Sequence, residues 1–300
     1  MPDAPLVIVN PAAGNGRARR LLGWIRERLE RRPDARLRIT GRPGDAEAWA
    51  ADALGQHDRV VAVGGDGTIQ EIVNGLLATQ TGGSLGVVPV GSGNDLARSL
   101  SLPGDPAEAW TAALGRVVVS VDVLHARGAS GMERWFASAG GIGFDAQVAH
   151  AMVRRRGWQR GRAGYLVTAL AELRHFPNRA VRIVIDDEEP FERRILLVAI
   201  TNGAYYGGGM HIAPNARVDD AWMDLCVVGD IGRLDALRQL PNLYRGRHGD
   251  HPAVEMRRAR RVSIDGDPET LVHLDGEPFD GFPLRVEMHA GVLSVAMSLR

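Results

Sequence analysis

The chain is 300 residues long, enough for one large domain or two ordinary ones. Its 45% apolar and 24% charged content is that of a soluble globular protein, and its zero formal net charge argues against a general nucleic-acid binder. All 36 basic residues are arginine, so a P-loop of the form GxxxxGK[ST], which needs a lysine, is excluded.

Residues 1–10 carry no basic stretch before an apolar core, so no signal peptide is expected. Residues 6–9 read as a strand, followed by Asn10-Pro11-Ala12-Ala13-Gly14-Asn15-Gly16. Leu21, Leu22, Ile25 and Leu29 then place one apolar face on a helix. Residues 36–40 predict a second strand, and Gly44-Asp45-Ala46 opens a second helix. The apolar run of residues 60–63 predicts a third strand, stopping at Gly64-Gly65-Asp66-Gly67-Thr68. Ile69, Ile72, Val73 and Leu76 continue at helical spacing. Residues 85–90 form a fourth strand ending in Gly91-Ser92-Gly93-Asn94-Asp95, and Leu96 begins another helix. Alternating strands and helices of this kind predict an α/β layer fold with a parallel sheet. Three strand ends carry small or glycine-rich loops, and ligands of open parallel sheets bind beyond the carboxyl ends of the strands.

Beyond about residue 122 strands dominate, at 117–124, 135–139, 181–185, 195–200, 225–228, 262–264, 271–274, 284–288 and 292–297. Asp186-Asp187, Asp265-Gly266, Asp275-Gly276, Asp280-Gly281 and Ala290-Gly291 read as the turns between them. Helical patterns near 165–176 and 234–244 interrupt, so the second half reads as a β-rich antiparallel domain. The lone Cys226 lies in an apolar strand and has no internal disulfide partner, which fits a reducing cytoplasm. No run reaches the ~18 apolar residues that span a bilayer, so membrane contact is expected to be peripheral.

The loop at 64–68 carries the most chemistry. Glycines at a strand-to-helix turn let backbone N–H groups approach an anion, and the helix N-terminus adds partial positive charge. Asp66 within it would repel bare phosphate. Its role is therefore metal-bridged, ribose-binding, or a hydrogen-bonded contact to the loop itself. The dinucleotide fingerprint G-x-G-x-x-G is absent, because Gln70 stands at the third glycine position.

In order along nearly the whole chain, these motifs resemble the diacylglycerol kinase catalytic family, most closely its bacterial soluble lipid kinases. Asn10-Pro11-Ala12-Ala13-Gly14 resembles N-P-x-[SA]-G, and Thr40 with Gly44-Asp45-Ala46 resembles T-x-x-x-G-D-A. Residues 64–71 match G-G-D-G-T-x-x-E, and residues 89–97 resemble P-x-G-[TS]-x-N-D-[FL]-A. Gly141-Ile142-Gly143-Phe144-Asp145-Ala146, Asn202-Gly203, Ala213-Pro214-Asn215-Ala216 and Leu274-Asp275-Gly276-Glu277 follow. The G-G-D-G-T core is shared with NAD kinases and phosphofructokinase relatives, whereas the ordered set is specific to the lipid branch.

The resemblance implies an α/β N-terminal domain over residues 1–122, phosphofructokinase/NAD kinase-like with a parallel sheet. A β-rich antiparallel sandwich over residues 123–291 would follow, with 292–300 returning to the first domain. It implies an ATP- and Mg²⁺-dependent lipid kinase acting on diacylglycerol or a related lipid, cytoplasmic and transiently peripheral to the membrane. A homodimer is left open. Asn10, Gly14, Thr40, Gly65, Asp66, Gly67, Thr68, Ile69, Gln70, Glu71, Ser92 and Asn94 would line the nucleotide site. Serine at position 92, where relatives often carry threonine, keeps the hydroxyl.

Glu277 would be the general base, with Asp275 and Asp66 as further catalytic acids. Asp-Gly is also a strong hairpin signal, and the resemblance alone selects Asp275 and Glu277 over Asp265, Asp267 and Asp280. A structural Mg²⁺ would sit on the Asp220 side chain and the carbonyls of Arg217 and Trp222, although relatives usually carry glycine at position 221. Arg154, Arg155, Arg156, Arg160 and Arg162 with Trp158 read as either a lipid-docking stretch or a solvated basic loop. Rival readings are an NAD kinase-like enzyme and a non-catalytic lipid- or nucleotide-binding relative.

Overall fold

The computed structural model describes residues 4–53, 56–78, 83–153 and 162–298. The chain divides into two compact units, Met1–Val121 with Gly291–Arg300, and Asp122–Ala290. The arginine-rich stretch at 154–161 lies outside the described residues.

The first unit runs β1 (Pro5–Val9), α1 (Ala13–Glu30), β2 (Arg36–Ile39), α2 (Asp45–Ala53), β3 (Arg59–Gly64), α3 (Asp66–Ala78), β4 (Ser84–Pro89), α4 (Asp95–Ser99) and α5 (Pro106–Ala113). Its strands are parallel in the order β2-β1-β3-β4. Every residue of β1 and β3 is buried. That explains their near-continuous apolar sequence, as expected for a parallel sheet covered on both faces. Val7, Val9, Val61 and Val63 pack with Ala18 and Ile25 of α1 and with Trp110 of α5 in one core cluster. From β1 the chain adds β2 on one side and β3 on the other, so the strand order reverses between β1 and β3. The crevice beyond the carboxyl ends at such a reversal is where open α/β sheets bind ligands.

The second unit contains β6 (Glu133–Phe136), β7 (Ala139–Gly143), α6 (Phe144–Val153), α7 (Arg162–Leu173), β8 (Arg179–Ile185), β9 (Phe191–Ile195), β10 (Leu197–Thr201), β11 (Met223–Val228), α8 (Arg233–Tyr244), β12 (Val254–Ala259), β13 (Arg261–Gly266), β14 (Val272–Leu274) and β15 (Glu277–Phe279). Two strands, β5 (Val117–Gly128) and β16 (Leu284–Met297), cross the boundary between the units. One antiparallel sheet has the order β12-β11-β10-β7-β14-β15. A second joins β9, β8, β13 and residues 284–287 of β16, all antiparallel. Ile183 and Ile264 from the second sheet share a buried cluster with Val198, Ile200 and Leu225 from the first, which makes the unit a sandwich. Each such side chain contributes about 1.5–3 kcal/mol on full burial.

Some boundaries differ from the sequence reading. Residues 284–288 and 292–297 are one strand rather than two. Ala290-Gly291 lies inside it, with Gly291 at φ +64° absorbing the local distortion. Residues 294–295 pair with β4 in parallel, so the end of the chain completes the first unit's sheet. The stretch read as one strand at 195–200 is two, because Leu196 leaves β9 and the chain enters the other sheet as β10. Among the described residues no helix is long and apolar enough to cross a membrane.

Candidate functional site

In the first unit the three loops that follow β1, β3 and β4 converge. The Asn10 amide donates from Nδ2 to Thr68 Oγ1 at 3.0 Å, and its Oδ1 accepts the Ala12 N–H at 3.0 Å. Gly14, Asn15 and Gly16 follow with φ of +58°, +56° and +84°, so α1 begins with a left-handed run. Consecutive N–H groups in turns of this kind form anion-binding concavities. A Cβ on Gly14 would lie 1.9 Å from the Val90 carbonyl oxygen, and one on Gly91 would lie 2.5 Å from Gly65 Cα. Side chains at these positions would force the loops apart.

Asp66 turns its carboxylate onto the neighbouring loop after β4. Its Oδ2 accepts the Asn94 N–H and its Oδ1 the Asp95 N–H, both at 2.7 Å. The carboxylate thus ties the loop after β3 to the start of α4. It holds Asn94 at φ +56°, and the Asn94 amide donates back to the Gly91 carbonyl at 3.1 Å. Burial raises the Asp66 carboxyl above its ordinary value, against the two N–H donors and the Arg98 charge.

The other expected nucleotide residues separate into two groups. Gly65, Asp66, Gly67 and Thr68 stand at the open N-terminus of α3, where backbone N–H groups face outward from the helix. Ile69 does not belong with them, because its side chain is core and its N–H donates to the Gly65 carbonyl. The Gln70 side chain is buried as well. Glu71 accepts the Ala46 N–H at 3.1 Å and caps α2, so its negative charge is already placed. Thr40 follows β2, with its N–H on the Val9 carbonyl, and Ser92 is exposed.

In the second unit, Asp275 and Gly276 form the two-residue turn between β14 and β15, with φ of +48° and +84°. Positive φ at both central positions is the signature of the tight hairpin turn. The segment is therefore not extended, and Asp275 and Glu277 do not share a strand face. The Asp275 carboxylate accepts three backbone N–H groups, from Ala137 at 3.0 Å, Ser138 at 3.0 Å and Ala139 at 2.9 Å. Its own N–H donates to the Ala139 carbonyl at 2.8 Å. The Asp275 carboxylate is thus turned onto the backbone and braces the turn. Glu277 begins β15 and is exposed, and no described hydrogen bond or ion pair occupies its carboxylate.

Sequence reasoning missed three side chains that shape this region. Asn202 is fully buried and donates to the Asp122 and Ala137 carbonyls. His273 lies buried beside Asp145, with Nε2 and Oδ2 3.3 Å apart. Arg258 pairs with Asp220. The signals were present, since Asn202 and Asp145 stand inside quoted motifs and His273 immediately precedes Leu274. What pattern reading lacked was the long-range pairing.

Each half of the chain matches a family model of its own. Residues 4–126 match the diacylglycerol kinase catalytic domain, and residues 138–297 match the YegS C-terminal NAD kinase beta sandwich-like domain. A protein named diacylglycerol kinase from Mycobacterium tuberculosis is 30% identical over 293 residues, covering 96% of this chain and 93% of the relative. This chain belongs to the diacylglycerol kinase and YegS-like lipid kinase family. A relative named as a YegS-like lipid kinase, from Chromohalobacter salexigens, is 30% identical over 297 residues, covering 98% of this chain and 93% of its own. A crystal structure from Bacillus anthracis str. Sterne, whose name places it among diacylglycerol kinases, superposes with a TM-score of 0.82 at 27% identity, covering 99% and 96% of the two chains.

The family implies ATP and usually a divalent metal. The loops at 10–16 and 64–68 fit a phosphate chain, since they offer left-handed and helix-terminal N–H groups with no lysine to share the task. The resident Mg²⁺ site expected at Asp220 does not fit. Arg258 donates to Asp220 Oδ2, while Oδ1 accepts the Trp222 N–H at 3.2 Å. The same guanidinium lies 5.3 Å from the Trp222 ring centroid and 4.0 Å from Asp224 Oδ1. Arg217 pairs with Asp219. Ala221, where relatives carry glycine, keeps a left-handed φ of +62°, and its N–H donates to Asp122 Oδ2. One carboxylate already neutralised by arginine, plus two carbonyls, is a poor shell for a cation that requires octahedral oxygen. Among the described residues no group of three His, Cys, Asp or Glu could hold a metal.

Two outcomes follow from this loop. In a thermal-shift titration, Mg²⁺ alone should leave the native protein's Tm unchanged. Arg258→Met should create a Mg²⁺-dependent rise, because it leaves Asp220 unpaired; a rise already present in the native protein would show that the arginine yields to the metal. The second outcome concerns Asp224, whose carboxyl burial pushes up from 3.8 to about 6, with Arg258 opposing. A raised folded pKa means that ionisation disfavours the fold. The cost is absent below the ordinary value and complete above about 6. Asp224→Asn should therefore stabilise the protein at neutral pH by up to about 3 kcal/mol, with the gain vanishing below about pH 4. Melts across that range check the sign.

Proposed function

We propose that this protein is an ATP-dependent lipid kinase that transfers the γ-phosphate to the hydroxyl of diacylglycerol or a related lipid. The observation that carries the reading is Glu277, an exposed and unoccupied carboxylate held on a turn that Asp275 locks to three backbone N–H groups.

Phosphoryl transfer asks little covalent chemistry of a protein. It requires a held phosphate chain, an in-line hydroxyl and a group to receive the hydroxyl proton. The N–H groups of Gly14 and Asn15 and of the start of α3 bind the phosphates of ATP, and Asn10 and Thr68 brace the two loops against each other. Mg²⁺ enters with the nucleotide as part of the substrate and neutralises charge on the phosphates. Glu277 accepts the proton of the lipid hydroxyl as its oxygen bonds to the γ-phosphorus, while the bond from that phosphorus to the β–γ bridging oxygen breaks and ADP leaves with the electron pair. Asp66 organises the loops and takes no proton.

A lipid acceptor resides in a membrane, so the enzyme docks there reversibly. An exposed apolar face on α7 supports this reading. Leu166, Val167 and Leu170 of α7 are exposed, as is Val153 at the end of α6, whereas Thr168, Ala169 and Leu173 of α7 face the interior. The basic sequence at 154–162 adjoins these residues in the chain, and arginines near an anionic surface contribute about 1 kcal/mol each.

Labelled phosphate is expected to pass from ATP to a lipid hydroxyl in a panel of lipid alcohols, with NAD as control acceptor. Glu277→Gln should lower kcat by about 10²–10⁴-fold while ATP binding survives. Phosphorylation of NAD without any lipid product would overturn the reading. Replacing Leu166, Val167 and Leu170 together with serine should reduce sedimentation with anionic vesicles and leave turnover of a dispersed short-chain substrate nearly intact. Equal sedimentation of the native and triple-variant proteins would remove this face from the membrane contact.

A further inference from the structure

Beneath the turn that presents Glu277 lies a buried acid–imidazole pair. The side chains of Asp145 and His273 are 2% and 5% exposed, and His273 Nε2 is 3.3 Å from Asp145 Oδ2. The other carboxylate oxygen accepts the Ala146 N–H at 2.8 Å, in the first turn of α6, where the helix end favours negative charge. His273 Nδ1 accepts the N–H of Gly276 at 3.2 Å. A backbone N–H can only donate, so Nδ1 is bare and the ring proton sits on Nε2, facing Asp145. The Tyr206 ring lies nearly parallel to the imidazole, with centroids 6.4 Å apart.

Space has been cleared for this pair. His273 stands opposite Gly141 in the β14–β7 pairing, and a Cβ there would lie 1.8 Å from Asp145 Oδ2 and 2.6 Å from His273 Nε2. Any residue larger than glycine would separate the two groups. The carboxylate's charge is felt nearby. Burial pushes the Tyr206 phenol well above its ordinary value and the Cys226 thiol up to about 12, and Asp145 adds to both shifts.

We propose that Asp145 and His273 are positioning residues for Glu277: Asp145 fixes the imidazole tautomer, and the bare Nδ1 holds the Gly276 N–H so that the next residue presents its carboxylate in one geometry. The inference rests on the reading of Glu277 as general base. Asp275 grips the turn from its first residue and His273 from its second. A base displaced by about 1 Å can lose about 10²-fold in rate.

Asp145→Asn separates this role from bulk structure. An asparagine amide directed at Nε2 moves the ring proton to Nδ1, where it opposes the Gly276 N–H, as in triads whose orienting acid is amidated. In ¹⁵N NMR of the imidazole, the native protein should show the Nε2–H tautomer and Asp145→Asn the Nδ1–H tautomer. A native Nδ1–H form would overturn the proposal without reference to activity. In kinetics, Asp145→Asn and His273→Leu should each lower kcat by about 10²-fold with the KM for ATP unchanged. His273→Asn, whose Oδ1 can accept the Gly276 N–H, should recover most of the loss. In a Glu277→Gln background neither substitution should lower kcat further, because the group being positioned is gone. Equal losses in both backgrounds would make the pair merely structural and overturn the inference. Near-normal turnover of Glu277→Gln alone would instead overturn the base assignment, so the two failures are told apart.

Discussion

The contact on which the rest of the second unit's chemistry depends is the Asp275 carboxylate with its three backbone N–H partners. A charge-assisted hydrogen bond is roughly twice as strong as a neutral one, and a buried donor left without an acceptor costs about 1–3 kcal/mol. Three such donors at the corner between β6 and β7 face one side chain. That is enough to hold Asp275 in the left-handed region, where a non-glycine residue costs about 1–2 kcal/mol. A strained residue held by many bonds makes a stiff turn, and Glu277 begins the strand that leaves it.

The first unit repeats the device with Asp66. There the carboxylate reaches from the start of α3 to two N–H groups at the start of α4, and it also holds a left-handed residue, Asn94. In both places an acid in a glycine-rich motif braces a loop by accepting backbone N–H groups. This resolves the repulsion between Asp66 and phosphate noted in the sequence. A carboxylate already turned onto two backbone donors projects little free charge into the loop, and the N-terminus of α3 keeps the loop attractive to an anion.

The architecture was legible where periodicity and burial coincide. The apolar runs of β1, β3 and β4 are buried on both faces, and such runs have one reading beside glycine-rich strand ends. The Leu21, Ile25 and Leu29 stripe of α1 and the span of α8 were legible for the corresponding helical reason. Legibility failed where tertiary pairing overrides local preference. The Ala139–Gly143 strand carries three glycines, which weaken a strand by local propensity. It forms because β10 and β14 flank it and because Gly141 must make room for Asp145 and His273. At the sites, motif order picked out Glu277, which stands exposed at the start of β15, and the loops after β1, β3 and β4, which come together in the first unit. Pattern alone could not distinguish an acid that faces solvent from one that binds backbone, because that depends on residues about 140 positions away.

At Asp220 the positive charge comes from Arg258, a covalently tethered cation that also lies over the Trp222 ring. A tethered guanidinium loses less freedom on pairing than a free ion and needs no octahedral shell, so a loop built around it can keep alanine at position 221 and tryptophan at 222. Trp222 then has a direct purpose: its face attracts both Arg258 and Arg260 and holds the guanidinium against the acid. Ala221, Trp222 and Arg258 are therefore mutually consistent in this loop. The acid, the aromatic ring and the arginine together supply the charge balance that the loop requires.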